Sequence, residues 1–221
     1  MMKKILSITL CCLLSACQTS PNTASQTEKK IAAAKINDRL GIAYLERQDI
    51  HRAKQKFLLA LEQAPDIPET WYSMAYFLET TGNKEQARNY YKKAIAISPG
   101  KGEALNNYGT FLCRTGEYRD AVAHFVRATQ DAHYLEQAAA FENAGVCSLK
   151  IPDSKNAMAY FQRSLEEDPG RPKAMIELAE LNFKQGDYTK AKQQLTEYLK
   201  VASPSVETFI LEKKLDTKLS A

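Results

Sequence analysis

Cysteine is the residue type with the clearest potential for chemistry in this sequence. Three of the five cysteines, Cys11, Cys12 and Cys17, lie near the start of the chain, and Cys113 and Cys147 are 34 residues apart. A thiol can carry a lipid, form a disulfide or bind a metal ion. The cysteines and the three histidines lack the spacing of a zinc site, and no nucleophile, histidine and carboxylate form a recognised catalytic motif. We therefore predict no enzymatic activity, no metal site and no cofactor other than a covalent lipid.

The start of the chain has the three parts of a secretory signal: lysines at 3 and 4, an apolar run over 5–14 and small residues before a cleavage site. The run is shorter than the ~20 apolar residues that span a bilayer. The sequence LSAC, which ends at Cys17, resembles the bacterial lipobox, in which the cysteine is lipidated and becomes the first mature residue. We therefore predict a lipoprotein signal peptide over 1–16 and a lipid on Cys17. The alternative is an ordinary signal peptide with Cys17 uninvolved.

The residues after Cys17 bear on where such a lipoprotein is held. An aspartate directly after the lipidated cysteine favours retention in the inner membrane, whereas Gln18 stands here. We therefore expect anchoring in the outer membrane by acyl chains, with the protein facing the periplasm. Residues 18–30 are polar and lack periodicity, so we predict that residues 17–33 comprise the lipidated cysteine and a flexible tether. Fully extended, residues 18–30 would reach about 40 Å.

The net charge limits the kinds of partner, and the predicted compartment indicates the state of the two remaining cysteines. Loss of the signal with its two lysines would lower the formal charge from +4 to +2, which is not typical of a nucleic-acid-binding protein. We predict neither a nucleic-acid partner nor a small-molecule substrate. In an oxidising periplasm, Cys113 and Cys147 are candidates for a disulfide. This interpretation is favoured over two reduced, buried thiols.

An internal repeat is the strongest pattern in the sequence. Alanine recurs at intervals of 34, 34, 36 and 34 residues, each time twelve residues after a small residue and four residues before a large apolar one. The alanines are Ala53, Ala87, Ala121, Ala157 and Ala191. This is the tetratricopeptide repeat (TPR) pattern, in which each unit is two amphipathic helices joined by a short turn. We expect glycines with positive φ at three of the turns, Gly82, Gly116 and Gly186.

The fold class predicted from this pattern is all-α: a right-handed superhelix of five TPR helix pairs and a C-terminal capping helix. The repeats are placed at 34–67, 68–101, 102–135, 138–171 and 172–205 within 34–205, and the cap at 206–221. We expect Val206, Phe209, Ile210, Leu215 and Leu219 to cover the last unit. Two extra residues, 136 and 137, separate the third and fourth repeats.

Two segments carry a more specific resemblance. ALNNYGTFLCRTGEYRDAVAHF, residues 104–125, and FENAGVCSLK, residues 141–150, resemble signature segments of the PilF/PilW family of type IV pilus biogenesis lipoproteins. Asn106, Asn107 and the two cysteines within these segments are not required by the general TPR pattern. The resemblance implies a pilotin, an outer-membrane lipoprotein that binds the secretin subunit of the pilus pore and promotes its localisation and multimerisation. The alternatives are a lipid-anchored TPR adaptor for other envelope proteins, such as peptidoglycan enzymes, and a periplasmic chaperone.

A partner would bind in the concave groove of the superhelix. Positions two, five, nine and twelve of each first TPR helix tend to face that groove. In the first two repeats these positions hold Lys35, Asp38, Ile42, Leu45, Glu69, Tyr72, Tyr76 and Glu79, and the third repeat adds Asn106 and Thr110. We predict an apolar binding strip of Ile42, Leu45, Tyr72 and Tyr76, since aromatic side chains are common binding anchors. The alternative is that these side chains pack against the tether or a neighbouring helix.

Overall fold

The computed structural model describes residues 21–220, apart from the side chains of residues 21–23 and 154. The predicted signal peptide and Cys17 lie outside the described residues. The described part is all helical and contains eleven helices. They are Pro21–Glu46 (α1), Ile50–Gln63 (α2), Pro68–Thr80 (α3), Lys84–Ile97 (α4), Gly102–Thr115 (α5), Tyr118–Ala128 (α6), Gln137–Ser148 (α7), Ser154–Glu167 (α8), Pro172–Gln185 (α9), Tyr188–Val201 (α10) and Val206–Leu219 (α11).

N-cap side chains and turn glycines determine where the helices of each pair begin and end. In four pairs, a side chain at the start of the second helix accepts a hydrogen bond from a backbone N–H of the first turn, which satisfies a donor left free by helix geometry. These N-caps are Asp49, Asn83, Asp153 and Asp187. Gly82, Gly116 and Gly186 have φ values of 89°, 92° and 84° at the turns, which confirms their predicted role.

Close contact between the two helices of a pair depends on the small residue of the repeat. A Cβ atom at Gly109 would lie 2.8 Å from Cε1 of Phe125, and the same arrangement joins Gly41 to Phe57 and Gly145 to Phe161. The three phenylalanines are fully buried. The recurring spacing therefore places a bulky side chain against a glycine, where the missing side chain leaves room for it.

The predicted tether is corrected by the structure. Residues 21–33, which the sequence predicted to be flexible, form the first half of α1. The segment has no glycine and no proline after Pro21, and it contains Ala, Lys, Gln and Glu, all good helix formers. The side chains of residues 24–30 are exposed, so this part of α1 makes little contact with the superhelix. As a helix, residues 21–33 span about 20 Å.

The capping helix begins at the predicted residue, Val206, and ends at Leu219, two residues before the predicted end, but its buried face differs from the prediction. Leu215 is buried as expected, together with Leu211 and Thr208. The other four predicted contact residues are exposed: Val206, Phe209, Ile210 and Leu219. The capping box of Ser205 and Thr208 fixes the start of the helix, and the spacing of Thr208, Leu211 and Leu215 then places a different face against α9 and α10.

The two-residue insertion is accommodated in the connection between α6 and α7. There the carboxylate of Asp131 accepts hydrogen bonds from the backbone N–H groups of Gly102 (2.9 Å) and His133 (2.9 Å). These two bonds lower the pKa of Asp131. Tyr134 from the same connection is buried against Gly102. The connection between α6 and α7 therefore holds the start of α5, the middle one of the five first helices.

Candidate functional site: the wall of the groove

The inner wall of the superhelix consists of the first helices of the five pairs, each in contact with the next: α1, α3, α5, α7 and α9. Two depressions lie along the N-terminal part of this wall. The first has a volume of about 500 Å³ and is lined by α1, α3 and α5. We call it the acidic depression, because its lining includes Asp38, Glu69 and Glu103.

The structure brings together two of the four side chains of the predicted apolar strip. Ile42 and Tyr72 line the acidic depression and are half-buried. Tyr76 is 41% exposed and lines the second depression, one helical turn farther along α3. Leu45 is not in the groove: it is 7% exposed and belongs to the hydrophobic core. Leu45 lies four residues after Gly41 and so shares the helix face that packs against α2.

The predicted polar residues of the third repeat are half-buried and hydrogen-bonded. Asn106 on α5 accepts a hydrogen bond at Oδ1 from Nδ2 of Asn143 on α7 (3.1 Å). Thr110 donates to the backbone carbonyl of Asn106 (2.9 Å), and Asn107 donates to that of Glu103 (2.8 Å). The Asn106–Asn143 hydrogen bond thus links the third and fourth repeats.

Cys113 and Cys147 are joined by a disulfide between α5 and α7, with their Cα atoms 5.9 Å apart. It connects the same two helices as the Asn106–Asn143 hydrogen bond. The bond therefore braces the wall at the junction that contains the two-residue insertion.

Asp38 is the most unusual group of the acidic depression. Its side chain lies in the middle of α1 and the residue is 9% exposed. Burial, with a smaller contribution from the negative charge of Glu69, raises the pKa of Asp38 to about 7. The pKa of Tyr72 is also raised, first by burial and then by Glu69, Glu103 and Asp38. The three carboxylates and Tyr72 all line the same depression.

Lys101 is the cation that pairs with this group. Its Nζ forms ion pairs with Glu69 and, at 3.2 Å, with Glu103. Burial opposes the charge of Lys101, but its pairing with Glu69 and Glu103 raises its pKa overall. One lysine therefore pairs with two of the three carboxylates, and Asp38 forms no ion pair with any of the described residues.

The second depression is lined by one carboxylate, Glu79, and two cations, Lys84 and Arg114. The guanidinium of Arg114 donates two hydrogen bonds to the carboxylate of Glu79, from Nε to Oε1 (2.6 Å) and from Nη2 to Oε2 (2.7 Å). Tyr91 donates from its hydroxyl to the same carboxylate (3.2 Å). Hydrogen bonding to Glu79 is the main reason why the pKa of Arg114 is raised. Glu79, a predicted groove position, is thus held by neighbours and is less available to a ligand than Tyr76 beside it.

Sequence reasoning missed several residues of the wall. Glu103 occupies position two of the third repeat, so the positional rule applied to the first two repeats would have found it. Lys101, Arg114 and Asn143, which is position six of the fourth repeat, lie outside positions two, five, nine and twelve. No signal in the sequence pointed to these three.

The described residues contain no candidate metal site and no candidate membrane-spanning helix. Between residues 21 and 220, no group of three or more His, Cys, Asp or Glu side chains is arranged to hold a metal ion. His51 contacts Gln55, and His124 contacts the backbone carbonyl of Asp120. None of the helices in this range combines the length and apolar composition needed to cross a bilayer.

Comparison with known proteins agrees with the repeat architecture. Models of the tetratricopeptide repeat match residues 68–101, 90–123, 112–172 and 153–205, which together run without a gap from 68 to 205. This chain belongs to the tetratricopeptide repeat family. The TPR models describe a scaffold of repeats, and no catalytic family is indicated.

Within the TPR family, the chain is similar to PilF and PilW. It is 33% identical over 154 residues to the type IV pilus assembly protein PilF of Pseudomonas aeruginosa, an alignment that spans 70% of this chain and 61% of PilF. An uncharacterized protein of Haemophilus influenzae is 28% identical over 155 residues, which cover 70% of this chain and 83% of that protein.

Solved structures show the same similarity. The structure of P. aeruginosa PilF matches with a TM-score of 0.79 at 28% identity and covers 87% of this chain and 86% of PilF. The structure of PilW, described as a widely conserved type IV pilus biogenesis factor, matches with a TM-score of 0.71 at 28% identity, over 85% of this chain and 86% of PilW. The resemblance to the PilF/PilW family seen in the sequence is therefore confirmed.

Proposed function

We propose that this TPR protein is an outer-membrane lipoprotein that acts as a pilotin for the type IV pilus secretin. In this proposal a lipid on Cys17 holds the superhelix at the periplasmic face of the outer membrane, and the groove binds a segment of the secretin subunit. The protein thereby promotes localisation and multimerisation of the secretin. No catalytic step is required.

The similarity to PilF and PilW is the observation that carries the proposal. It extends over most of the superhelix and supports a TPR protein that takes part in type IV pilus biogenesis. The finer steps, the secretin as partner and the lipid anchor, rest on the resemblance and on the lipobox-like sequence before Cys17.

The geometry of the groove suits a tethered adaptor. Three residues separate Cys17 from Pro21, the first residue of α1, and the two depressions are lined mainly by α1, α3 and α5, the first helices of the three N-terminal repeats. Confining the adaptor and the secretin subunit to one membrane raises their effective concentration without any new contact. Residues 18–20 and the exposed first half of α1, about 20 Å long, limit how far the groove can move from the membrane.

A binding experiment with the purified mature protein and the secretin subunit tests the partner. We expect Tyr72→Ala and Tyr76→Ala to weaken binding, by about tenfold or more if either tyrosine is an anchor of the interface. The control is Phe209→Ala, which removes an exposed aromatic side chain from α11 at the opposite end of the superhelix. Unchanged affinity in folded Tyr72 and Tyr76 variants would contradict binding in this groove.

A further inference from the structure

The acidic depression contains hydrogen-bond acceptors that the protein leaves without donors. Oδ1 of Asp38 and Oε2 of Glu69 are buried and have no hydrogen-bond partner among the described residues. Oε2 of Glu103 is buried too and is held only through its ion pair with Lys101. Buried polar atoms in folded proteins are nearly always hydrogen-bonded, because an unpaired one costs free energy.

Local structure explains two of the three carboxylates and not the third. Glu69 and Glu103 lie in the first turns of α3 and α5, where a negative charge is stabilised by the helix dipole. Asp38 lies in the interior of α1, 91% buried, and it caps no helix. The residue lines the depression, and its Oδ1 is buried in the wall there without a hydrogen-bond partner among the described residues. The burial of Asp38 is therefore better explained by a contact with a bound ligand.

The cations near the depression do not supply donors to the unpaired carboxylate oxygens. Lys101 is committed to Glu69 and Glu103. Lys35 and Arg39 are exposed lining residues, and neither forms an ion pair with the three carboxylates. The depression thus contains buried acceptors without donors and one carboxylate, Asp38, without an ion pair among the described residues, beside two exposed cations.

We propose that the acidic depression binds a lysine or arginine side chain from a segment of the partner protein. An ammonium or guanidinium group supplies several donors and a positive charge, the complement of Asp38 and Glu69. The aliphatic stem of the same side chain would pack on Ile42 and Tyr72, which line the depression beside the carboxylates. A metal ion fits less well, because among the described residues these carboxylates do not form a metal-holding group.

This inference rests on the proposed function only for the identity of the partner, so the test begins with unbiased probes. Short random peptides displayed on phage are selected on the immobilised mature protein, and the selected peptides are synthesised with each Lys or Arg kept or replaced by Gln. We expect basic residues to be enriched. For the wild-type protein, we expect the Gln version of a peptide to bind about tenfold more weakly than the original peptide. For Asp38→Asn, we expect the two peptide versions to bind nearly equally. This difference between the two proteins is the coupling expected for a direct contact.

The controls keep the outcome interpretable. Asp66→Asn, an exposed aspartate between α2 and α3, makes the same chemical change outside the groove and should behave like wild type. Glu103→Gln provides a second variant of the depression if Asp38→Asn does not fold. Selected peptides without basic enrichment, or an equal loss from the Gln replacement in wild type and Asp38→Asn, would overturn the inference.

A parallel measurement with the secretin subunit separates this inference from the proposed function. Coupling between Asp38 and a basic peptide residue, with no secretin binding by wild type, would reject the proposed partner and retain the site. Secretin binding that is equal in wild type and Asp38→Asn, without peptide coupling, would reject the site and retain the partner.

Discussion

Replacing Asp38 by asparagine should stabilise the protein at pH 8 and have little effect on its stability at pH 4. The pKa of Asp38 is raised from 3.8 to about 7 in the folded state, since burial disfavours the carboxylate. Folding therefore takes up a proton in this pH window, and the free energy of unfolding falls as the pH rises from about 4 to about 7. Asparagine has no charge to bury, so the variant avoids that loss.

The magnitude follows from the size of the pKa displacement. One pKa unit corresponds to about 1.36 kcal/mol, which sets an upper limit of about 4 kcal/mol for full burial. Because the depression opens to solvent, which screens the charge, we expect about 1–2 kcal/mol at pH 8 and a few tenths at pH 4.

Urea unfolding of wild type and Asp38→Asn at the two pH values, followed by circular dichroism, measures this difference. Asp66→Asn serves as the control and should change stability equally little at both pH values, because Asp66 is exposed. Equal stability of wild type and Asp38→Asn at pH 8, or destabilisation there, would refute the interpretation of Asp38 as a strained charge.

Two further predictions concern the packing of the wall. Gly109→Ala should lower the free energy of unfolding by about 1–3 kcal/mol in a denaturation experiment, because its Cβ would lie 2.8 Å from Phe125. Gly100→Ala, where a Cβ meets no atom within 4 Å, should not do so, and equal effects of the two changes would contradict the packing argument. Replacing both Cys113 and Cys147 by serine should cost about 3–4 kcal/mol, since their bond closes a loop of 34 residues. A loss below about 1 kcal/mol would show that the bond contributes little to stability.

The helix pairs could be predicted from the sequence because the same spacing of small and large residues recurs in each repeat. Gly109 and Phe125 stand sixteen residues apart in one unit, and Gly145 and Phe161 repeat that spacing in the next. Five repetitions of one pattern make the fold evident without any knowledge of long-range contacts. The start of α1 was missed because polar composition was taken as evidence for a tether, although helix propensity in residues 24–33 is high.

The groove was harder to predict because helix faces are set by contacts between repeats. Leu45 satisfies the positional rule for the groove, yet its spacing from Gly41 turns it toward α2. The pairing of Lys101 with Glu69 joins residues 32 positions apart in different repeats, which no local pattern reports. Likewise, the exposure of Phe209 depends on how the capping helix rotates against α9 and α10.

The most direct test of the proposed function is the amount of heat-stable secretin multimer in the outer-membrane fraction of the source organism. Deleting the gene for this protein should abolish the multimer and the pili, and a plasmid copy of wild type should restore both. A Cys17→Ser copy, expressed at the same level, should restore little multimer because it lacks the lipid anchor. Normal secretin multimers and pili in the deletion strain, with defects in cell division or cell shape, would contradict the account.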